Sequence, residues 1–288
     1  MNFPTLIHQV VSGLCFGALL FLLAAGLSLM YGLMGVVNIA HGGYFMVGGY
    51  VGLSVFQGTG SFVLAILAGL ATGGALGLLT ERFFLRPLYA LRGHEPVLMT
   101  FALCIILGDF SLFVWKGMPT WIPTPSLLAF SVSIAGSPYP VYRLFSLLIG
   151  LLVFAGVWWF QEKTRWGAIV RAGVDDKEMV TGLGINIPLV FTMVFALGAF
   201  LAGFGGVVGS PLIGLYPGME IEVFILALAV VIVGGIGSLP GCLLTCFLIG
   251  LADTFGKTQW PGYASLTIWL ALVIILLVKP TGLFGRKD

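Results

Sequence analysis

"VVNIAHGGYFMVGGY", residues 36–50, interrupts the second long apolar run of the chain with an asparagine, a histidine and two Gly-Gly pairs. A histidine placed in hydrocarbon loses its water, and paired glycines weaken the helix around them. Asn38 and His41 are three apart, so on a continuous helix they share a face. Gly42 and Gly43, with Tyr44 beside them, let a neighbouring helix approach or let the span bend and unwind. Unwound backbone at membrane depth is tolerated where it lines a watered cavity. Asn38, His41, Gly42, Gly43 and Tyr44 therefore read as the wall of a translocation path, with Asn38 and His41 facing the pore or pinning a broken helix. The alternative is a packing hydrogen bond from these side chains to a neighbouring span.

The rest of the chain supports a membrane setting. Of its 288 residues 59% are hydrophobic and only 8% charged, and the mean hydropathy is +1.10. Apolar runs broken by polar, Gly or Pro residues predict spans at 6–29, 32–56, 60–82, 96–115, 143–160, 187–209, 221–236, 239–256 and 262–279. The expected fold is an all-α polytopic membrane protein of about nine spans, eight to ten, forming a single domain over 1–288. The runs 221–236 and 239–256 are short and divided by "GGIGSLPG", so one of them is open to being re-entrant or interrupted. Gly234, Gly235, Gly237, Pro240 and Gly241 supply either a hinge or a plain tight turn there. The first apolar run is too long, and too poor in basic flanks, for a cleavable signal peptide. Cys15, Cys104, Cys242 and Cys246 all fall in apolar segments and read as small core residues, with no metal site expected.

Positive loops stay in the cytoplasm. If the loops 80–96 and 161–186 and the C-terminus face inward, ten of the thirteen Lys and Arg are cytoplasmic: Arg82, Arg86, Arg92, Lys163, Arg165, Arg171, Lys177, Lys279, Arg286 and Lys287. Lys116, Arg143 and Lys257 then lie outside. With nine spans the N-terminus is outside and the C-terminus inside. The outer loop 116–142 carries five prolines and should be irregular and flat on the surface, with Trp115, Trp121 and Tyr139 at the lipid–water boundary. Glu220, Glu222 and Asp253 are expected at or near the outer face, and Asp109 near the outer end of its run.

The inner loop 161–188, "QEKTRWGAIVRAGVDDKEMVTGLGINIP", holds eight of the twenty-four charged residues within 161–178. A bare connection needs only a few residues. Asp175 can cap a short helix running through Met179 and Leu183, and Gly184 can end it. Met179, Val180 and Leu183 would share one face, with Asp176 and Lys177 turned away. That makes a small amphipathic helix on the cytoplasmic surface, or else a solvated loop.

"RAGVDDKEMVTGLGINI" at 171–187 resembles the cytoplasmic coupling loop of ABC importer permeases, and "GVVNIAHGGYFMVGGY" at 35–50 resembles the N-terminal signature of the same group. "VVIVGGIGSLPG" and "VKPTGLFGRK" are similar to its C-terminal pattern. The four stretches, in order, resemble the branched-chain amino-acid-type ABC transporter permeases, closer to the LivH half than to LivM. Met179 stands where that family usually has alanine, and Asp253 where glutamate is common.

The resemblance implies a permease subunit of the bacterial inner (cell) membrane, passing a branched-chain or related amino acid inward. Urea, amides and aromatic or other small acids are carried by relatives. It also implies a second, LivM-like permease, two ATP-binding subunits and an extracytoplasmic solute-binding protein as partners, alongside the lipid bilayer and without nucleic acid. No GxxxxGK[ST] loop occurs, so no cofactor is expected on this chain and ATP would be hydrolysed by the partner subunits. Arg171, Ala172, Asp175, Asp176, Lys177, Met179, Leu183 and Gly184 would then couple the permease to the ATPase, with Arg171 and the charged trio polar and Met179 and Leu183 apolar contacts. A transporter or channel independent of ATP is the rival class. It would need intramembrane ionisable groups, and only His41, Asp109 and Asp253 lie near membrane depth. Catalytic signatures such as HExxH and GxSxG are missing, so no enzyme is expected.

Overall fold

The computed structural model describes residues 3–90 and 94–285. Every predicted apolar run holds a helix. In chain order these are α1 (Phe3–Met34), α2 (His41–Thr59), α3 (Phe62–Leu79), α4 (Glu95–Trp115), α5 (Val141–Lys163), α6 (Arg165–Asp175), α7 (Lys177–Gly182), α8 (Ile187–Ile213), α9 (Met219–Gly234), α10 (Leu239–Gln259) and α11 (Ala264–Val278). Among the described residues, six helices are long and apolar enough to cross a membrane: α1, α3 with its extension to Tyr89, α4, α5, α8 and α10. The chain is a multi-pass helical membrane protein.

α1 is the centre of the bundle. From Gly17 to Met30 it is buried throughout, because α8 and α10 approach it at small residues. A methyl added at Gly26 would lie 2.2 Å from the Gly198 carbonyl oxygen of α8, and one at Gly250 of α10 only 2.2 Å from that of Gly13. Without water between them, helices associate through such close backbone approach rather than through hydrophobic burial. α3 packs on α8 in the same way, with Gly73 against Ala199. α4 and α5 lie at the periphery, with Phe113 and Trp159 exposed, as suits helices bathed in lipid.

The loop 116–142 departs from expectation. Residues 131–140 form a two-stranded antiparallel hairpin, β1 (Ser131–Ile134) and β2 (Ser137–Pro140), rather than irregular backbone. The two-residue turn puts Ala135 and Gly136 at φ of 50° and 86°, the backbone twist that suits tight hairpins. The prolines sit outside the ladder's donor positions or at its ends, which reconciles them with a strand. The hairpin rests on the start of α1, where His8 Nε2 donates to the Ile134 carbonyl at 2.8 Å and Ser12 and Tyr139 hydroxyls lie 3.2 Å apart. Burial there raises the pKa of the Tyr139 phenol.

The predicted span 32–56 is not one helix. α1 ends at Met34, residues 35–40 are non-helical, and α2 starts only at His41. Gly35, at φ of 66°, ends α1 by accepting the left-handed conformation that a side chain resists.

Candidate functional site

Three constellations carry the functional residues read from the sequence. The first surrounds the break before α2. Because 35–40 is not helical, Asn38 and His41 do not share a helix face. Asn38 turns to α1, its Nδ2 donating to Met30 Sδ at 3.3 Å. His41 is fully buried, and its Nε2–H donates to the Leu23 carbonyl in the middle of α1 at 2.9 Å. That contact fixes the depth at which α2 begins: well inside the bundle. The start of α9 meets it there. An added Cβ at Gly42 would stand 1.8 Å from the Glu220 carbonyl oxygen, and one at Gly43 would press on Leu107 of α4 at 2.8 Å. Tyr44 is fully buried, edge-on to Phe195. Asn38, His41, Gly42, Gly43 and Tyr44 are thus brought together as a packed joint against α1, α4, α8 and α9. Glu220 belongs to this joint, being 6% exposed with its Oε2 accepting from Gly218 N at 2.8 Å.

The second constellation is the charged loop 161–188. It forms two helices, not one, because Asp176 adopts extended backbone (φ −152°) between them. Thr164 caps α6, accepting from Gly167 N at 3.0 Å. Asp176, and not Asp175, caps α7: its Oδ1 accepts from Met179 N at 2.9 Å, satisfying a donor that the first turn leaves orphaned. α7 ends at Gly182, and Gly184 follows at φ of 80°. Val180 is buried and anchors the helix, whereas Met179 and Leu183 stand 67% and 74% exposed. The shared apolar face is therefore divided: one residue holds the loop down and two are left open. Arg171 lies 3.7 Å from Glu162, an exposed pair that adds little, and Ala172 accepts the Asp176 N–H at 2.8 Å to close α6. The side chains of Asp175 and Lys177 lie outside the described residues, as do Arg92, Arg286 and Lys287.

The third is "GGIGSLPG". α9 ends at Gly234, Gly235 and Gly237 take φ of 100° and 77°, and Ser238 caps α10 by accepting from Gly241 N at 3.1 Å. Pro240 sits in the first turn of α10, where its missing N–H costs nothing. An added Cβ on Gly241 would lie 2.0 Å from the Gly234 carbonyl oxygen. Backbone from late in the chain closes the turn, with Leu283 N donating to Val233 O at 2.8 Å and Phe284 N to Gly234 O at 3.1 Å. This is a tight, clamped turn.

Sequence reading did not single out Glu81. It lies on a π-helical turn (Thr80–Leu85) that prolongs α3, is fully buried, and accepts from Thr192 Oγ1 of α8 at 2.6 Å. Arg86 Nη2 pairs with it at 3.2 Å and also donates to Thr192 Oγ1 and the Pro188 carbonyl. The pair ties the C-terminal end of α3 to the beginning of α8, the helix that follows α7. Its only sequence signal was an acid, Glu81, five residues before Arg86 in a basic loop. The four cysteines are buried and free, and among the described residues no three His, Cys, Asp or Glu gather as a metal site.

A multi-pass helical bundle with a broken second span, a clamped late turn and a pair of capped helices between α5 and α8 is the frame of a membrane permease. The family model for the branched-chain amino acid transport system permease component matches residues 9–278, and the chain belongs to that family. It is 30% identical to the high-affinity branched-chain amino acid permease BraD of Pseudomonas aeruginosa, over 98% of this chain and 96% of that one. It is 27% identical to LivH of Escherichia coli K12, over the whole chain and 98% of LivH. Among solved structures it is similar in fold to PsaBC from Streptococcus pneumoniae, with a TM-score of 0.50 at 13% identity, covering 94% of this chain and 90% of that one.

Proposed function

We propose that this chain is the permease subunit of an ATP-driven importer that carries a branched-chain amino acid across the bacterial inner membrane. The observation that carries the reading is the end-to-end family match over 9–278, which takes in the capped helices α6 and α7 as well as the spans. The partners on this reading are a second, LivM-like permease, two ATP-binding subunits and an extracytoplasmic binding protein. ATP is bound and split by the ATP-binding subunits, and this chain itself has no catalytic step.

Met179 and Leu183, one turn apart and open, are the apolar contacts offered to the ATP-binding subunit. α6 and α7 carry its motion into α5 and α8 through tethers of a few residues. The nine-helix crossing pattern has the N-terminus outside and the C-terminus inside. The placement of Lys and Arg supports which face is the inner one, and two contacts support the alternation of the loops between the two faces. Thr120 and Leu215 pair through their backbones, joining two loops assigned outside, and Arg86 meets Pro188, joining two assigned inside.

The deciding experiment assembles the chain with its ATP-binding and second-permease partners in proteoliposomes and supplies loaded binding protein. ATP-dependent leucine uptake is expected from the wild type. Met179→Asp with Leu183→Asp should cut stimulated ATP hydrolysis about tenfold or more, the effect of losing ~1.4 kcal/mol or more of contact energy. Uptake that needs no ATP-binding subunit would establish the rival class instead.

A further inference from the structure

Two cavities open along one face of α1, and none of the residues read from the sequence as the path lines either of them. The larger, about 360 Å³, lies where α1 meets the start of α5, the end of α8 and α10; Ser12, Cys15, Phe16 and Leu19 form its α1 wall. The smaller, about 160 Å³, continues past Phe16 and Leu19 to Leu23 and reaches Met219 and Val223 at the start of α9. Phe16, Leu19 and Ile213 are common to both, so the two are one groove. Ser12, Phe16, Leu19 and Leu23 follow one another at four, three and four residues, a single helix face. The groove therefore descends about 16 Å along α1, at about 1.5 Å per residue.

Its chemistry changes with depth. On the proposed topology three Lys and Arg lie outside, and two of them, Arg143 and Lys257, line the larger cavity. Lys257 Nζ donates to Asp253 Oδ2 at 2.6 Å and stands 5.2 Å from the centre of the Phe16 ring. Asp253 is 3% exposed, and its Oδ1 is buried with no hydrogen-bond partner. Deeper down the walls are Leu20, Leu23, Val223 and Leu226, and the one carboxylate there, Glu222, accepts from Tyr216 OH at 2.6 Å.

A buried carboxylate with unused acceptor capacity, beside two cations, suits a ligand that carries both charges. A simple anion such as a lipid phosphate would meet Arg143 and Lys257 but would bring like charge against Asp253. A zwitterion satisfies both: its carboxylate faces Arg143, its ammonium faces Asp253, and an aliphatic side chain lies on Phe16 and Leu19. We propose that this groove is the outer entry of the translocation path and that its mouth recognises the ammonium and carboxylate of a small aliphatic amino acid. The assignment rests on the importer reading above and adds a binding site to it.

The test uses the assembled transporter in proteoliposomes. In a background without the four native cysteines, Ser12→Cys, half-buried in the wall of the larger cavity, is exposed to an impermeant thiol reagent, with leucine or with phosphatidylglycerol vesicles as protectant. Leucine should slow labelling about tenfold at a concentration about ten times its dissociation constant. Arg143→Gln should lower maximal leucine uptake at saturating loaded binding protein about tenfold, the loss expected of one charged hydrogen bond, while stimulated ATP hydrolysis persists. Leu19→Trp, which fills the groove, should abolish uptake in an intact complex. Labelling unaffected by leucine, or uptake unaffected by Arg143→Gln and Leu19→Trp, overturns the groove while wild-type uptake leaves the importer reading standing. Protection by phosphatidylglycerol alone makes the groove a lipid site and also overturns it. A wild type that takes up no leucine with ATP overturns the importer reading, and the assigned occupant falls with it.

Discussion

At the scale of single residues, the glycines of "NIAHGGYFMVGGY" separate close approach from helix weakness. Gly58, on the same helix as Gly42, has no atom within 4 Å of an added Cβ, whereas Gly42 would meet the Glu220 carbonyl at 1.8 Å. Gly58→Ala should therefore stabilise α2 by about 0.5–1 kcal/mol. Gly42→Ala should destabilise the protein by roughly 1–3 kcal/mol, because backbone must shift. Thermal midpoints of the two variants in detergent, moving in opposite directions, check this. His41→Phe keeps a ring of similar shape and removes only the Nε2–H bond to Leu23. It should cost about 1 kcal/mol of stability and leave relative uptake of leucine, isoleucine and valine unchanged; a changed preference would place His41 on the solute path. The sequence made it legible that something approaches these glycines closely. It could not show that the approaching group is Glu220, since helical spacing describes one helix and says nothing of a partner far along the chain.

Among the elements, the helices themselves were readable because nine apolar runs are bounded by Gly, Pro and charge, and every one holds a helix. What was unreadable was decided by backbone. Asp175 and Asp176 are chemically alike, and only the extended conformation of Asp176 makes it the cap of α7. Asp176→Ala should therefore fray α7 by about 1 kcal/mol, seen as faster hydrogen exchange of 179–182 with α6 unaffected. Asp175→Ala should not reproduce it. The π-helical turn at 80–85 was equally hidden, since its geometry rather than its composition carries Glu81 to Thr192. Arg86→Met leaves that buried carboxylate without its cation and should cost about 3 kcal/mol or more. Glu81→Gln, which removes the charge and keeps Thr192 a partner, should cost clearly less in the same thermal assay.

For the whole molecule, the lopsided placement of Lys and Arg makes sidedness the natural test. Asp176→Cys, in a chain without native cysteines, should react with an impermeant thiol reagent only from the cytoplasmic face, and Ser126→Cys only from outside. The reverse pattern would invert the topology and close the groove's mouth to the binding protein. The groove itself was invisible in sequence, because Ser12, Phe16, Leu19 and Leu23 are ordinary members of an apolar run and Arg143 and Lys257 lie on other helices. The clamped turn after α9 has a consequence for how the chain is made. Val233 and Gly234 receive the N–H groups of Leu283 and Phe284, which the ribosome supplies only after α10 and α11. While the nascent chain is being threaded into the bilayer, the end of α9 must therefore wait with open carbonyls for backbone not yet synthesised. An affinity tag or a stop codon that disturbs residues 283–285 would hold the protein at that unfinished stage, so a purification handle belongs at the other end.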